Sequence, residues 1–223
     1  MLYLVPTPIG NLEDITIRAV RVLRESDLIA CEDTRTSGVL LSKYGIDTPT
    51  TSYHDHNERE KAPHLVKRMR AGHQIALITD AGSPGISDPG FYLARAAHEA
   101  GVEISALPGP TAFVPALTAS ALPSDRFVFE GFLPKKKGRQ TRLKSIAQES
   151  RTTVFYESPH RLLRTLDALI EHCGPDRPVA VARELTKTYE EVRRGTLQEV
   201  LSYFAGYENV RGEIVIVLGG ADL

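Results

Sequence analysis

Short apolar runs alternate with amphipathic stretches through the first half of the chain. LYLV (2–5), DLIAC (27–31), QIALIT (74–79) and VEISAL (102–107) are almost continuously apolar, as strands buried on both faces must be. Between them, TIRAVRVLRES (16–26) predicts a helix with Thr16 as N-cap and with Ile17, Val20 and Leu23 or Arg24 along one face. RMRAG (68–72) reads as a helix end with Gly72 past its last turn. DPGFYLARAAHEAG (88–101) predicts a helix with Pro89 in its first turn, and PTAFVPALTASAL (110–122) one kinked by Pro115. Such alternation argues for a mostly parallel sheet with helices on both faces.

The second half has a different texture. RFVFEGFL (126–133), TTVFYE (152–157), PVAVARE (178–184), YEEVRRGT (189–196) and GEIVIVLGG (212–220) carry strand signals. A helix is expected between the first two, another over 158–174 with Leu162, Leu166, Leu169 and Ile170 on one side, and a third over 196–206. YEEVRRG alternates and is polar, so a mixed sheet is expected here. Small and turn residues in ASALPSDR place a boundary between an N-terminal α/β domain, 1–118, and a C-terminal one, 119–223.

Composition changes this picture little. With 223 residues, 42% hydrophobic and 25% charged, the chain is an ordinary globular one. Its apolar runs fall short of the roughly 18 residues a membrane span needs. MLYLVPTPIG lacks the basic start of a signal peptide, and Cys31 and Cys173 stand alone, so a cytoplasmic protein without membrane attachment is expected. Charge is uneven: residues 1–118 carry a net −3 and residues 119–223 a net +2. Much of the excess lies in PKKKGRQTRLK (134–144), either a solvated loop and helix start or a contact for phosphates through Lys135, Lys136 and Lys137.

Candidate chemistry gathers at strand ends. VPTPIGN (5–11), DAGSPGISDPG (80–90) and LPGPTA (107–112) are bare glycine and proline turns, which let backbone groups approach a ligand closely. RGEIVIV (211–217) reads as a fourth such turn following a strand. GxGxxG, GxxxxGK[ST] and GxSxG are all absent, which argues against dinucleotide, P-loop and serine-hydrolase sites. His54 and His56 flank Asp55 in a polar loop, and no metal is expected there. Polar clusters at CEDTRTS (31–37), YESPHR (156–161) and ARELTK (182–187) are denser than a scaffold needs. Asp80 and Asp88 are assigned to turn formation and helix capping.

Taken in order, VPTPIGNLEDITIRAVRVL, CEDTRTSGVLL, SYHDHNE, LITDAGSPGISDPG, LPGPTA, FVFEGFLP, FYESPHR, ARELTK and GEIVIVLGG closely resemble the small-subunit ribosomal RNA methyltransferase branch of the tetrapyrrole methylase superfamily, over residues 2–220. The resemblance implies two α/β domains with S-adenosyl-L-methionine in the cleft between them, and a homodimer. It also implies 2′-O-methylation of a cytidine ribose in the decoding region of small-subunit ribosomal RNA, as naked RNA or assembled subunit. Cofactor contacts carried over from it are Pro8, Ile9, Ala81, Gly82, Ser83, Ile86, Thr111 and Ala112, with Glu157, Leu185 and Ile214 from the second domain. A ribose hydroxyl needs a base, for which Asp33, Glu184 and Lys187 are candidates, Lys187 only with a lowered pKa. Arg35, Arg161 and Arg183 are available to hold phosphates. Many relatives carry a helical tail after the closing GG, and this sequence ends at Leu223. Two other readings stay open: a small-molecule methyltransferase acting on a tetrapyrrole-like substrate, and a non-enzymatic RNA-binding module.

Overall fold

A computed structural model describes residues 1–223 and divides them into two compact units, Met1–Thr111 and Ala112–Leu223. In the first unit the order is β1 (Leu2–Leu4), α1 (Ile17–Glu25), β2 (Leu28–Cys31), α2 (Thr34–Lys43), β3 (Thr50–Ser52), α3 (Glu58–Arg70), β4 (Ile75–Ile78), α4 (Phe91–Glu99) and β5 (Ile104–Ala106). All five strands are parallel, in the order β3-β2-β4-β1-β5.

Alternation along each strand feeds two cores. Ile29, Cys31, Ala76 and Ile78 meet Ala19, Leu23, Leu40 and Leu41 of α1 and α2 on one face. Leu28, Ala30, Ile75 and Leu77 meet Leu65, Met69, Leu93 and Ala97 of α3 and α4 on the other. That double burial is why these strands read as unbroken apolar runs.

The second unit runs α5 (Phe113–Ser120), β6 (Phe127–Phe132), α6 (Arg139–Gln148), β7 (Thr152–Glu157), α7 (Leu162–Cys173), β8 (Pro178–Arg183), β9 (Glu191–Thr196), α8 (Leu197–Ala205) and β10 (Ile214–Leu218). Its sheet order is β6-β7-β10-β8-β9, parallel between β6 and β7 and antiparallel elsewhere. The expected mixed sheet is therefore present. One face packs Phe155, Val181 and Ile216 against Leu143, Leu166, Leu169, Val200 and Phe204 of α6, α7 and α8. No helix is long and apolar enough to cross a membrane.

Three differences from the sequence reading have physical causes. The division falls at 111/112 rather than 118/119, because α5 packs against β7, β8, β9 and β10 and so joins the second unit. Pro115 lies in the first turn of α5, where a missing N–H breaks no helical bond, so it gives no reason for a kink. In α1 the buried residues are Ala19, Val22 and Leu23, while Ile17 is 91% exposed. At 100° per residue the buried stripe centres on Ala19, nearly opposite Ile17.

Truncation should separate the two faces of α1. Leu23→Ala is expected to cost about 2–5 kcal/mol in urea unfolding, and Ile17→Ala to stay within about 0.5 kcal/mol of the parent.

Candidate active site

Parallel strands place all their carboxyl ends on one edge of the first sheet, and the turns leaving β1, β2, β4 and β5 meet there. The turn after β1 is pinned to the turn after β4 by a two-way backbone bridge. Thr7 N–H donates to Gly82 O at 2.8 Å and Gly82 N–H to Thr7 O at 2.9 Å. The Thr7 hydroxyl adds a buried bond to Thr79 O at 2.9 Å. Gly82 has φ +82°, a conformation side chains rarely adopt. A Cβ there would reach 3.7 Å from Ile9 Cγ2 and narrow the space between the two turns.

The β4 and β5 turns are clasped in the same way. Ser83 Oγ donates to Pro110 O at 3.1 Å and lies 2.6 Å from Thr111 Oγ1. Ile86 N–H closes back onto Ser83 O at 3.1 Å. Thr7, Gly82, Ser83, Ile86 and Thr111, dispersed over more than 100 residues of sequence, are thus joined by hydrogen bonds into one rim, with Pro8 and Ile9 following Thr7 and Ala81 preceding Gly82. Beside it, Thr7, Pro8, Thr36, Ser37, Val39 and Asp80 help line a cavity of about 350 Å³. Bare backbone and hydroxyls, without a competing thiol, suit a cofactor such as S-adenosyl-L-methionine, whose amino-acid, ribose and adenine groups take hydrogen bonds and whose sulfonium must be kept from stray nucleophiles. The nearest thiol, Cys31, is buried and pushed up by that burial.

Acids crowd the same edge. Asp33 caps α2 by accepting from Arg35 N–H at 2.8 Å, and also binds the Arg35 guanidinium at 2.9 and 3.3 Å. The hydrogen bonds from Arg35 hold its carboxyl down to about 2. Asp80 accepts from Asp33 N–H at 3.1 Å, which ties the β4 turn to the start of α2. Asp88 caps nothing: the N-cap of α4 is Gly90, with no side-chain cap bond. Asp88 is exposed at the surface, where solvent screens its charge. Even so, partial burial, then the charges of Glu32, Asp80 and Asp55, pushes it up to about 7. Burial followed by the charge of Asp80 raises Glu32 as well.

The second unit gathers the other expected residues. Glu157, Ile214 and Arg183 form one row across β7, β10 and β8, and Leu185 follows as β8 ends. The Glu157 carboxylate is only 2% exposed and fully engaged. It accepts from Ser158 N–H at 2.6 Å, from the Thr165 hydroxyl at 2.6 Å and from Arg161 at 2.7 Å. Buried Arg139 donates to the same Thr165 hydroxyl at 2.8 Å. Glu157 can therefore offer a ligand only its backbone. Ala112 is the N-cap of α5.

Glu184 and Lys187 are partners rather than independent bases. Lys187 Nζ lies 2.9 Å from Glu184 Oε1 and 3.2 Å from Glu213 Oε2, and Glu213 N–H donates to Glu184 at 3.0 Å. Burial pulls the lysine down, but the Glu184 bond and the Glu213 charge outweigh it and the ammonium sits above its ordinary value. Burial pushes Glu184 up, and the Lys187 bond more than reverses it. A lowered Lys187, required for a base role, is thus not what the fold provides. Arg161 and Arg183 are likewise committed, Arg183 to Glu191 at 3.1 Å and to Arg211 O at 3.3 Å. Arg35 is 90% exposed beside its Asp33 partner, and Lys135, Lys136 and Lys137 are exposed. No group of three His, Cys, Asp or Glu side chains is arranged to hold a metal ion.

Asp88 is the residue sequence reasoning assigned elsewhere. A second signal is invisible in sequence: besides Ala121 at the end of α5, Ser87, Glu184 and Thr186 are non-glycine residues with positive φ, of +61°, +51° and +66°. Each costs about 1–3 kcal/mol, and such strain collects at functional sites.

A family model described as Tetrapyrrole (Corrin/Porphyrin) Methylases matches residues 1–201. Three relatives carry the name Ribosomal RNA small subunit methyltransferase I. That of Synechocystis is 53% identical over 99% of this chain and 79% of its own length. That of Mesorhizobium japonicum is 50% identical, covering 99% and 76%. That of Thermotoga maritima is 46% identical, covering 99% of each. Among solved structures, a cobalt precorrin-4 methyltransferase aligns with TM-score 0.69 at 19% identity, over 99% of this chain and 95% of that one. A uroporphyrin-III C-methyl transferase from Thermus thermophilus, complexed with S-adenyl homocysteine, aligns with TM-score 0.66 at 20% identity, covering 99% and 98%.

The Glu157 network gives a stability test. Glu157→Ala strands Arg139, Arg161 and the Thr165 hydroxyl, and should cost about 3–5 kcal/mol in chemical denaturation.

Proposed function

Because the chain belongs to the tetrapyrrole (corrin/porphyrin) methylase family and, within it, to the group of ribosomal RNA small subunit methyltransferase I, we propose that it is an S-adenosyl-L-methionine-dependent methyltransferase whose product is a 2′-O-methylated cytidine in the decoding region of small-subunit ribosomal RNA. We further infer that it works as a homodimer in the cytoplasm. The observation that carries the enzyme reading is the clasped rim, Thr7 to Gly82 and Ser83 to Thr111, set beside the acids Glu32, Asp80 and Asp88.

When bound, S-adenosyl-L-methionine supplies an electrophilic methyl group. Pro8, Ile9, Ala81, Gly82, Ser83, Ile86 and Thr111 would hold it through backbone groups and hydroxyls, and rigid positioning contributes much of the rate in such a displacement. Asp88 takes the proton from the ribose 2′-oxygen. Its proton affinity near neutrality suits that task, whereas Asp33 at about 2 is too weak a base. Arg35 lies exposed next to Asp33, and in this reading it contacts backbone phosphates. In the second unit, Leu185, Ile214 and the backbone of Glu157 and Ala112 are the residues we assign to cofactor binding, on the family resemblance.

Support for RNA over a tetrapyrrole substrate comes from the roughly 50% identity to ribosomal RNA methyltransferases, against about 20% to the corrin and porphyrin enzymes. A non-enzymatic RNA-binding module would leave the bare rim without a purpose.

Isotope-labelled methyl transfer to small ribosomal subunits, followed by nuclease digestion, tests the reaction. Label should appear as 2′-O-methylcytidine, and its absence would sink the assignment. Activity should rise as pH increases through about 7, as Asp88 loses its proton. Asp88→Asn should abolish that rise and lower kcat about 10²–10⁴-fold while calorimetric cofactor binding persists. Gly82→Val should remove cofactor binding while unfolding stays cooperative. Retained cofactor heat in that variant would contradict the rim assignment.

A further inference from the structure

The edge strand β6 carries a row of aromatic rings that its own alternation would not produce. Phe127 pairs with Thr152 and Phe129 with Val154, but Phe132, not residue 131, pairs with Tyr156. The register shift between Phe129 and Phe132 is a bulge, with Gly131 at φ +61°. It turns Phe132 onto the face already occupied by Phe127 and Phe129, where strict period two would have sent it to the other face.

A continuous chain of rings results. Phe113 of α5 lies 5.9 Å from Phe127 and 4.7 Å from Phe129, and Tyr156 lies 5.2 Å from Phe129 and 5.4 Å from Phe132. The end rings stay open to solvent, Phe127 at 38% and Phe132 at 55%. An exposed pair of phenylalanines on an edge strand is an aggregation hazard unless a ligand uses it.

Charge indicates which ligand. The stretch 126–144 holds seven cations and one acid, Glu130. That acid is neutralised by Arg142 at 3.3 Å. Lys135, Lys136 and Lys137 follow β6 directly and are exposed. Arg139 anchors the end of their loop through Pro134 O at 3.3 Å and Thr165. Rings that can stack bases, next to cations that can track phosphates, are how single-stranded nucleic acid is held without sequence reading.

We propose that the β6 face, with Phe127 and Phe132 as its stacking rings and Lys135–Lys137 as its phosphate contacts, is a binding platform for single-stranded RNA. It would hold unpaired nucleotides of the RNA substrate, and this rests on the RNA-methylating reading above. A second copy of the chain is the competing occupant, but a surface this cationic repels its own image.

The test measures binding of a short single-stranded RNA, with light scattering, cofactor calorimetry and methyl transfer as companions. Phe132→Ala should weaken RNA binding roughly 5- to 100-fold without changing its salt dependence, and Phe132→Trp should restore it. Changing Lys135, Lys136 and Lys137 to Gln should flatten the slope of log K against log salt by about 2. Cofactor binding and unfolding should be unaffected in both variants. Unchanged RNA affinity in Phe132→Ala and Phe127→Ala, with the parent still methylating subunits, overturns the platform and leaves the enzyme reading intact. Loss of dimer in these variants assigns the face to a second copy and overturns the proposal too. A parent protein that binds cofactor but neither binds nor methylates RNA overturns the enzyme reading, and the platform with it.

Discussion

Everything at the candidate site follows from the parallel direction of five short strands. An antiparallel sheet would split its turns between two edges. A parallel one sends every carboxyl end the same way, so residues near 8, 33, 82 and 111 converge although the chain travels through helices between them. The Thr7–Gly82 bridge then acts as an extra rung beyond the ends of β1 and β4. It satisfies two backbone donors where the ladder stops and fixes the spacing of two turns that would otherwise be independent.

The second unit solves a related problem with side chains. Where β7 ends, Glu157 faces a core of leucines and cannot reach water. Three donors and the flanking Arg139 compensate that charge, and in doing so they set the direction of the turn into α7 and anchor the basic loop before α6. A buried ion network of this kind gives little net stability relative to an apolar replacement, but breaking it at one member is costly. Its contribution lies in geometry, holding the strand-end row of Glu157, Ile214 and Arg183 in place.

Much of the fold was legible because it is written in local periodicity. TTVFYE maps onto β7 residue for residue, and the apolar runs of the first half became the buried strands. What escaped depends on distant partners or on short polar segments. β3, only Thr50–Ser52, has neither length nor apolar content to announce itself. α2 begins with Thr, Arg, Thr, Ser and Gly, poor helix formers on average, and is started by the Asp33 cap. α5 is apolar enough to pack on either sheet, so composition could not assign it to a unit. The rim residues were named through family resemblance. Only the structure supplies the bridge and the hydroxyl clasp that join them.

Proton affinities were the least legible feature, and the reason is instructive. Asp33 and Asp88 are the same residue type on the same sheet edge, yet their carboxyls lie near 2 and near 7. Asp33 has Arg35 two positions away, a local partner that holds the charge. Asp88 has no cation, and its neighbours Glu32, Asp80 and Asp55 are acids brought in from other strand ends. Lys187 shows the opposite case, because its charge is secured partly by Glu213, 26 residues later in the chain. Like charges gathered without a counter-ion are unfavourable for folding alone. Their persistence at the edge where a parallel sheet collects its turns distinguishes them from the paired acids around them, and it is the ground for the proposed base role of Asp88.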